Sequence, residues 1–176
     1  MFEEEILLGD TEDSIRLETR QKSPIKNVIA PEPGVLGQRK YALIRKQHGQ
    51  DWRNRKPACG VYNCYGMVFA SRRTAILDDD QIPMVLREDG YRPVVDEMWV
   101  RPGDLVFYRL RAPDMLLHVA VILRRDDTLG TLFALSKWNS ISGEDEHNIR
   151  HHCWTRMEPV ELDFWTDRPS DARETA

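Results

Sequence analysis

The sequence predicts an α+β domain with helices packed on one side of an antiparallel sheet, and three observations carry that prediction. Helical patterns come early, over residues 35–48, from Cys64 onward and again from about Asp80. Residues 105–108, 118–123 and 131–136 then read as successive strands, separated by turn formers. Helices followed by a strand meander mark a segregated α+β architecture, not a βαβ one.

Residues 1–34 are the least committed part. Acids cluster from Glu3 to Glu5 and from Asp10 to Asp13, and Pro31-Glu32-Pro33-Gly34 marks a boundary. Residues 5–8 and 14–17 offer at most an edge strand. The expected organisation is an N-terminal arm (1–34) dispensable for folding, a domain over 35–165, and a C-terminal tail (166–176). Within 35–48 the apolar positions are Leu36, Tyr41, Leu43 and Ile44, with Ala42 between them. Arg39, Lys40, Arg45 and Lys46 supply the charge. Residues 49–62, rich in Gly, Asn, Arg and Pro, read as a loop.

Asn63 then offers an N-cap, its side-chain oxygen placed to accept an orphan N–H of the first turn. Met67, Val68 and Ala70 form the buried face of the helix that follows, and Gly66 is expected to leave the space above Cys64 clear. Asp78-Asp79-Asp80 opens the next helix, with Pro83 in its first turn, Ile82, Val85 and Leu86 facing inward, and Gly90 as its stop. As a metal site the three aspartates lack further acidic ligands nearby. Arg101-Pro102-Gly103-Asp104 turns the chain into the first strand, and residues 125–130 turn it between the second and third. The polar run Gly143-Glu144-Asp145-Glu146-His147 reads as a surface loop, with a final strand through Cys153-Trp154.

The composition is that of an ordinary soluble globular protein: 176 residues, 41% hydrophobic, 31% charged. A net charge of −4 and the lack of a basic stripe interleaved with aromatics argue against nucleic acid as a partner. The acidic start is unlike a secretory signal, no run approaches a membrane span, and three cysteines do not make a disulfide framework. A cytoplasmic protein is expected, with export lacking an N-terminal signal as the alternative.

Two residues carry the chemistry. Cys64 sits at the start of a helix, where the dipole favours a thiolate. His118 opens a strand among apolar residues. A cysteine at a helix N-terminus and a histidine on the adjoining sheet make a nucleophile–base pair, which is expected to depress the thiol pKa from about 8.5 to below neutrality. A third polar group would hold the ring by its other nitrogen. Hairpin symmetry puts Ser136 or Lys137 opposite His118. Ser136 can accept the ring N–H, whereas a charged Lys137 cannot.

These residues resemble a known family. Asn63-Cys64-Tyr65-Gly66-Met67-Val68 is similar to the Asp-Cys-Ser-Gly-(apolar)-Val motif of the NlpC-type cysteine peptidases, papain-like enzymes that cut bacterial cell-wall peptides. Arg101-Pro102-Gly103-Asp104-Leu105-Val106-Phe107-Tyr108 resembles the family's Pro-Gly-Asp-Leu-(apolar)-Phe strand. His118-Val119-Ala120-Val121 resembles its His-Val-Gly-(apolar) strand. Order and spacing agree over roughly residues 36–160.

The resemblance implies a papain-like fold, a Cys64–His118 pair, and hydrolysis of a peptide or isopeptide bond with a D-amino acid, without a cofactor. Asn63 stands where the family has Asp and Tyr65 where it has Ser, which would make the cleft wall beside the sulfur bulkier. The family's aromatic about a dozen residues before the cysteine corresponds to Trp52, with Tyr62 as a rival contributor to the oxyanion site. For the third residue, commonly a histidine on the next strand, the candidates are Ser136 and His147. Ser136-Lys137-Trp138, followed by Gly143-Glu144 and His147, is similar to a pattern in variant branches of the family.

A zinc site from His147, His151, His152 and Cys153 would need Cys59 and Cys64 as its second cluster, and is disfavoured. Cys59 as a resolving thiol for Cys64 is a further option. Two rival readings complete the expectations. One is a papain-like binding module with an idle pair; the other is an amidase or thioesterase acting on a cytosolic substrate.

Overall fold

The structure, a computed structural model, describes residues 13–48, 51–111, 114–153 and 160–169. It is an α+β fold with helices α1 (Val35–His48), α2 (Cys64–Phe69) and α3 (Ile82–Glu88). The strands are β1 (Trp52–Lys56), β2 (Arg92–Val94), β3 (Leu105–Leu110), β4 (Met115–Asp126), β5 (Thr131–Ser136), β6 (Glu144–Asn148) and β7 (Val160–Thr166). All seven join one antiparallel sheet in the order β1-β6-β5-β4-β3-β7-β2. The three expected strands form its centre, β5 with the expected bounds and β4 longer at both ends.

Alternate residues of the central strands divide between two cores, as the period of two demands. Leu105, Phe107 and Val119 face α2 and α3, where Tyr65, Ile82, Val85 and Leu86 complete a cluster with Cys64 at its margin. Val106, Tyr108, Ala120 and Ile122 face the other way, against Leu132, Ala134, Ile149 and Phe164, a cluster holding no helical residue among those described. A bulge where His118 and Leu116 face Tyr108 and Arg109 places His118 beside Tyr108, ring centroids 5.6 Å apart.

α1 spans the residues its pattern suggests, yet of its apolar positions only Tyr41 is buried, while Leu36 and Leu43 stay largely exposed. It is tethered by polar contacts instead: Tyr41 Oη donates to Asp145 Oδ2 at 2.7 Å, and Arg45 lies 3.3 Å from the same carboxylate. α3 follows its reading closely. Asp78 caps a short 3₁₀ turn at Asp79–Gln81, Ile82, Val85 and Leu86 are buried, and Gly90 ends the helix at φ +77°.

Four expectations need correction. Residues 52–56 form a strand where a loop was expected. The polar run at 144–148 is a buried strand, not a surface loop. Cys153 lies in a turn, so the last strand comes later, at β7; Trp154 lies outside the described residues. The physical reason for the first two is mutual. β1 reads Trp-Arg-Asn-Arg-Lys and β6 reads Glu-Asp-Glu-His-Asn, and antiparallel register sets Arg53 against Glu146, Asn54 against Asp145 and Lys56 against Glu144. Further partners complete the burial: Arg72 grips Glu144 with two hydrogen bonds (2.6 and 3.1 Å), and Arg124 holds Glu146 at 3.0 Å.

The fourth concerns the arm. Residues 13–34 lack regular secondary structure, apart from isolated bridges, but they belong to the body. Leu17 and Ile25 are buried in the cluster under α2 and α3, and Val28 exchanges two backbone hydrogen bonds with Ala75. Residues 14–17 form no strand, and 5–8 lie outside the described residues. At the other end, Arg168 is ion-paired with Asp104 at 2.8 Å, so the start of the expected tail is tied to the turn before β3.

Candidate active site

Cys64 is the first residue of α2, and Asn63 is its cap: Asn63 Oδ1 accepts the Gly66 N–H at 2.9 Å. The cap has a second task. The same oxygen accepts the Ile76 N–H, and Asn63 Nδ2 donates to the Ile76 carbonyl at 2.7 Å, stitching the helix start to the returning chain. Gly66 serves packing instead of opening space above the sulfur, because a Cβ there would lie 1.8 Å from the Thr74 carbonyl oxygen. Tyr65 likewise turns into the core and does not wall a cleft.

The sulfur of Cys64 lies against the backbone N–H of Val119, the residue after His118. Burial pushes the thiol up to about 11, against the smaller pull of the Val119, Tyr65 and Cys64 N–H groups and the Lys137 ammonium. That corrects the expected depressed thiol. α2 has only six residues, so its dipole is small, and desolvation outweighs it. Alkylation of Cys64 by iodoacetamide should therefore be slow at pH 7 and accelerate between about pH 9 and 11; fast labelling at pH 7 would contradict the neutral thiol.

Around His118 the hydrogen bonds set the tautomers. His147 Nδ1 lies 2.7 Å from the Asn148 carbonyl, so it carries a proton and leaves Nε2 as an acceptor. The Ser136 hydroxyl, 2.8 Å from that Nε2, donates to it. Ser136 Oγ then accepts from His118 Nε2 at 3.1 Å, which leaves His118 Nδ1 unprotonated. The two candidates for the third residue are thus successive links of one chain. Trp138 stacks on His118 at 5.1 Å, and Trp52 stacks on Trp138 at 4.5 Å.

Both rings of this chain are held neutral, since burial pushes His118 and His147 down to about 3. The unfolded chain takes up a proton on each near pH 6.5 while the folded chain does not. The stability that neutral burial allows is therefore complete above pH 6.5 and falls as the pH drops toward 3, by up to about 1.4 kcal/mol per pH unit for each ring. The urea midpoint should fall between pH 7 and pH 5, and His147→Gln should flatten that slope. A midpoint that stays level in the parent would mean that the rings are charged when folded.

The oxyanion candidates are otherwise engaged. Trp52 is buried on β1, and its indole N–H donates to the His151 carbonyl at 3.0 Å. Tyr62 Oη donates to Glu144 Oε1 at 2.7 Å. Comparison with protein-family models, curated proteins and solved structures found no match.

Lys137, the rival to Ser136, projects toward Tyr62 and the loops before α2. Its Nζ donates to the carbonyls of Cys59, Ser140 and Ser142, and burial lowers its pKa to about 8. Cys59 Sγ contacts Glu32 at 3.6 Å, and Cys59, Cys64 and Cys153 are all free thiols. The link that sequence reading undervalued is His147. Its signal was the charge complementarity of 52–56 and 144–148, which makes 144–148 a strand beside β5.

Proposed function

We propose that the chain is a cysteine hydrolase of papain-like, NlpC-type architecture that cleaves a peptide or isopeptide bond, with a peptidoglycan-type peptide as the leading substrate class. The observation that carries this reading is the ordered chain Asn148–His147–Ser136–His118, which leaves a proton-accepting Nδ1 on the residue next to the one that meets the Cys64 sulfur. A thiol pushed up and an imidazole pushed down describe a resting pair in which both members are neutral. The pair would act by general-base catalysis: the thiol proton passes to His118 Nδ1 as sulfur attacks the carbonyl carbon. Ser136 then steadies the imidazolium by accepting its Nε2–H, and the backbone N–H of Cys64 offers a donor to the oxyanion. His118 returns the proton to the leaving amine, and a water deprotonated by His118 releases the acyl group from sulfur.

Incubation with peptidoglycan fragments, read by mass spectrometry, tests the proposal. Cleavage is expected in the parent and not in Cys64→Ala, whose fold should persist. Ser136→Ala should slow turnover by roughly ten- to a hundredfold, about 1.4–2.7 kcal/mol of barrier, because Ser136 orients the base without exchanging a proton with substrate. His147→Ala should act in the same direction through Ser136. Cleavage that survives Cys64→Ala would sink the assignment.

The raised thiol favours a second reading, a papain-like binding module with an idle pair. Tight binding of a fragment that the parent never cleaves would decide for it.

A further inference from the structure

Between α3 and the sheet lies a cavity of about 580 Å³, within the usual range for ligand sites. Ile82 and Leu86 wall it from the helix; Phe107, Leu116 and Trp165 wall it from β3, β4 and β7. Phe107 is the register partner of Val119, whose backbone N–H meets the Cys64 sulfur. The cavity thus opens one strand away from the sulfur.

The charges at its mouth are unequal. Arg109 is engaged by Asp114 at 2.7 Å and Asp163 at 3.1 Å, and Arg87 lies 3.4 Å from Glu88. Asp79 and Asp80, both exposed, line the same mouth without an ion pair to any described residue. An anionic ligand would meet the carboxylates of Asp79, Asp80 and Asp114 at a mouth where Arg109 is already held by two carboxylates and Arg87 is left largely exposed. A cation with an apolar stem finds aromatic and aliphatic walls below and unbalanced carboxylates above.

We propose that this cavity binds the lysyl or arginyl side chain of a peptide, its stem against Phe107, Leu116 and Trp165 and its head at Asp79 and Asp80. The volume exceeds one side chain, so neighbouring residues of the peptide would enter too. The inference rests on the hydrolase reading only in calling that peptide a substrate.

Calorimetry on the full-length Cys64→Ala chain provides the test, with acetylated, amidated tripeptides Ala-Lys-Ala and Ala-norleucine-Ala as probes. The lysine peptide should bind at least tenfold more tightly. Asp79→Asn/Asp80→Asn should erase that preference with the melting temperature unchanged, since Asp78 is the cap. Met115→Trp, at the exposed rim, should weaken both peptides by blocking entry. Equal binding of the two peptides, no binding of either, a preference that survives the double substitution, or full binding by Met115→Trp would each overturn the proposal. Lysine-selective binding without turnover by the parent would support the cavity and count against the hydrolase. Turnover indifferent to the basic residue would do the reverse.

Discussion

Gly66→Ala is expected to leave little folded protein. The added methyl would sit 1.8 Å from the Thr74 carbonyl oxygen and 3.0 Å from its carbonyl carbon, both backbone atoms that cannot rotate aside. Nor can the Thr74 segment retreat. Thr74 is fully buried, its hydroxyl donates to Asn27, and Ala75 is bonded both ways to Val28. The return from α2 is equally tight: the Gly66 carbonyl accepts from Ala70 and Arg72, and Ser71 and Arg72 adopt positive φ of 51° and 66°. Relief would mean lifting α2 off its core, at a cost above about 4 kcal/mol, a large share of the roughly 5–15 kcal/mol that holds a domain. Circular dichroism and a melting curve check this. A melting temperature within a few degrees of the parent would show that α2 can shift without loss.

Deletion of residues 1–34 is expected to yield an aggregating chain, opposite to what an appendage would give. The deletion removes Leu17 and Ile25 from the cluster beneath α2 and α3, about 3–6 kcal/mol of apolar burial, and uncovers their neighbours Ile76 and Val85. Polar ties go with them: Thr19 Oγ1 to Glu88 at 2.7 Å, the Val28–Ala75 pair, and Glu32, which accepts the Gly60 N–H at 3.0 Å. Gly60 packs so closely on Pro31 that a Cβ would lie 1.9 Å from its carbonyl oxygen, so residues 31–32 also brace the loop leading to Cys64. Soluble expression with a cooperative melt would show that residues 35–176 fold alone.

Why the N-terminal segment misled is instructive. Its acids and its Pro-Gly boundary are local facts, and they do mark the lack of regular secondary structure over 13–34. Whether Leu17 and Ile25 are covered depends on α3 and the chain at 74–76, which no local pattern reports. The same holds for α1. Its helical period was legible, but Leu36 and Leu43 find no partner core and the helix hangs on Tyr41 and Arg45.

At the candidate site, sequence alone determined what depends on neighbours along the chain. The Asn63 cap, Cys64 at the first position of α2, and the strands that carry His118 and Ser136 all follow from turn residues, capping chemistry and period-two apolar runs. Only the tertiary structure decided burial and pairing. It made β6 a buried strand by matching its carboxylates to Arg72, Arg124 and β1, and it put His147 behind Ser136 and so selected the His118 tautomer. It also raised the Cys64 thiol above the range that a helix start would suggest. The reason is that desolvation and hydrogen-bond partners are set by whatever packs across from a side chain. The sequence specifies those neighbours only through the whole fold.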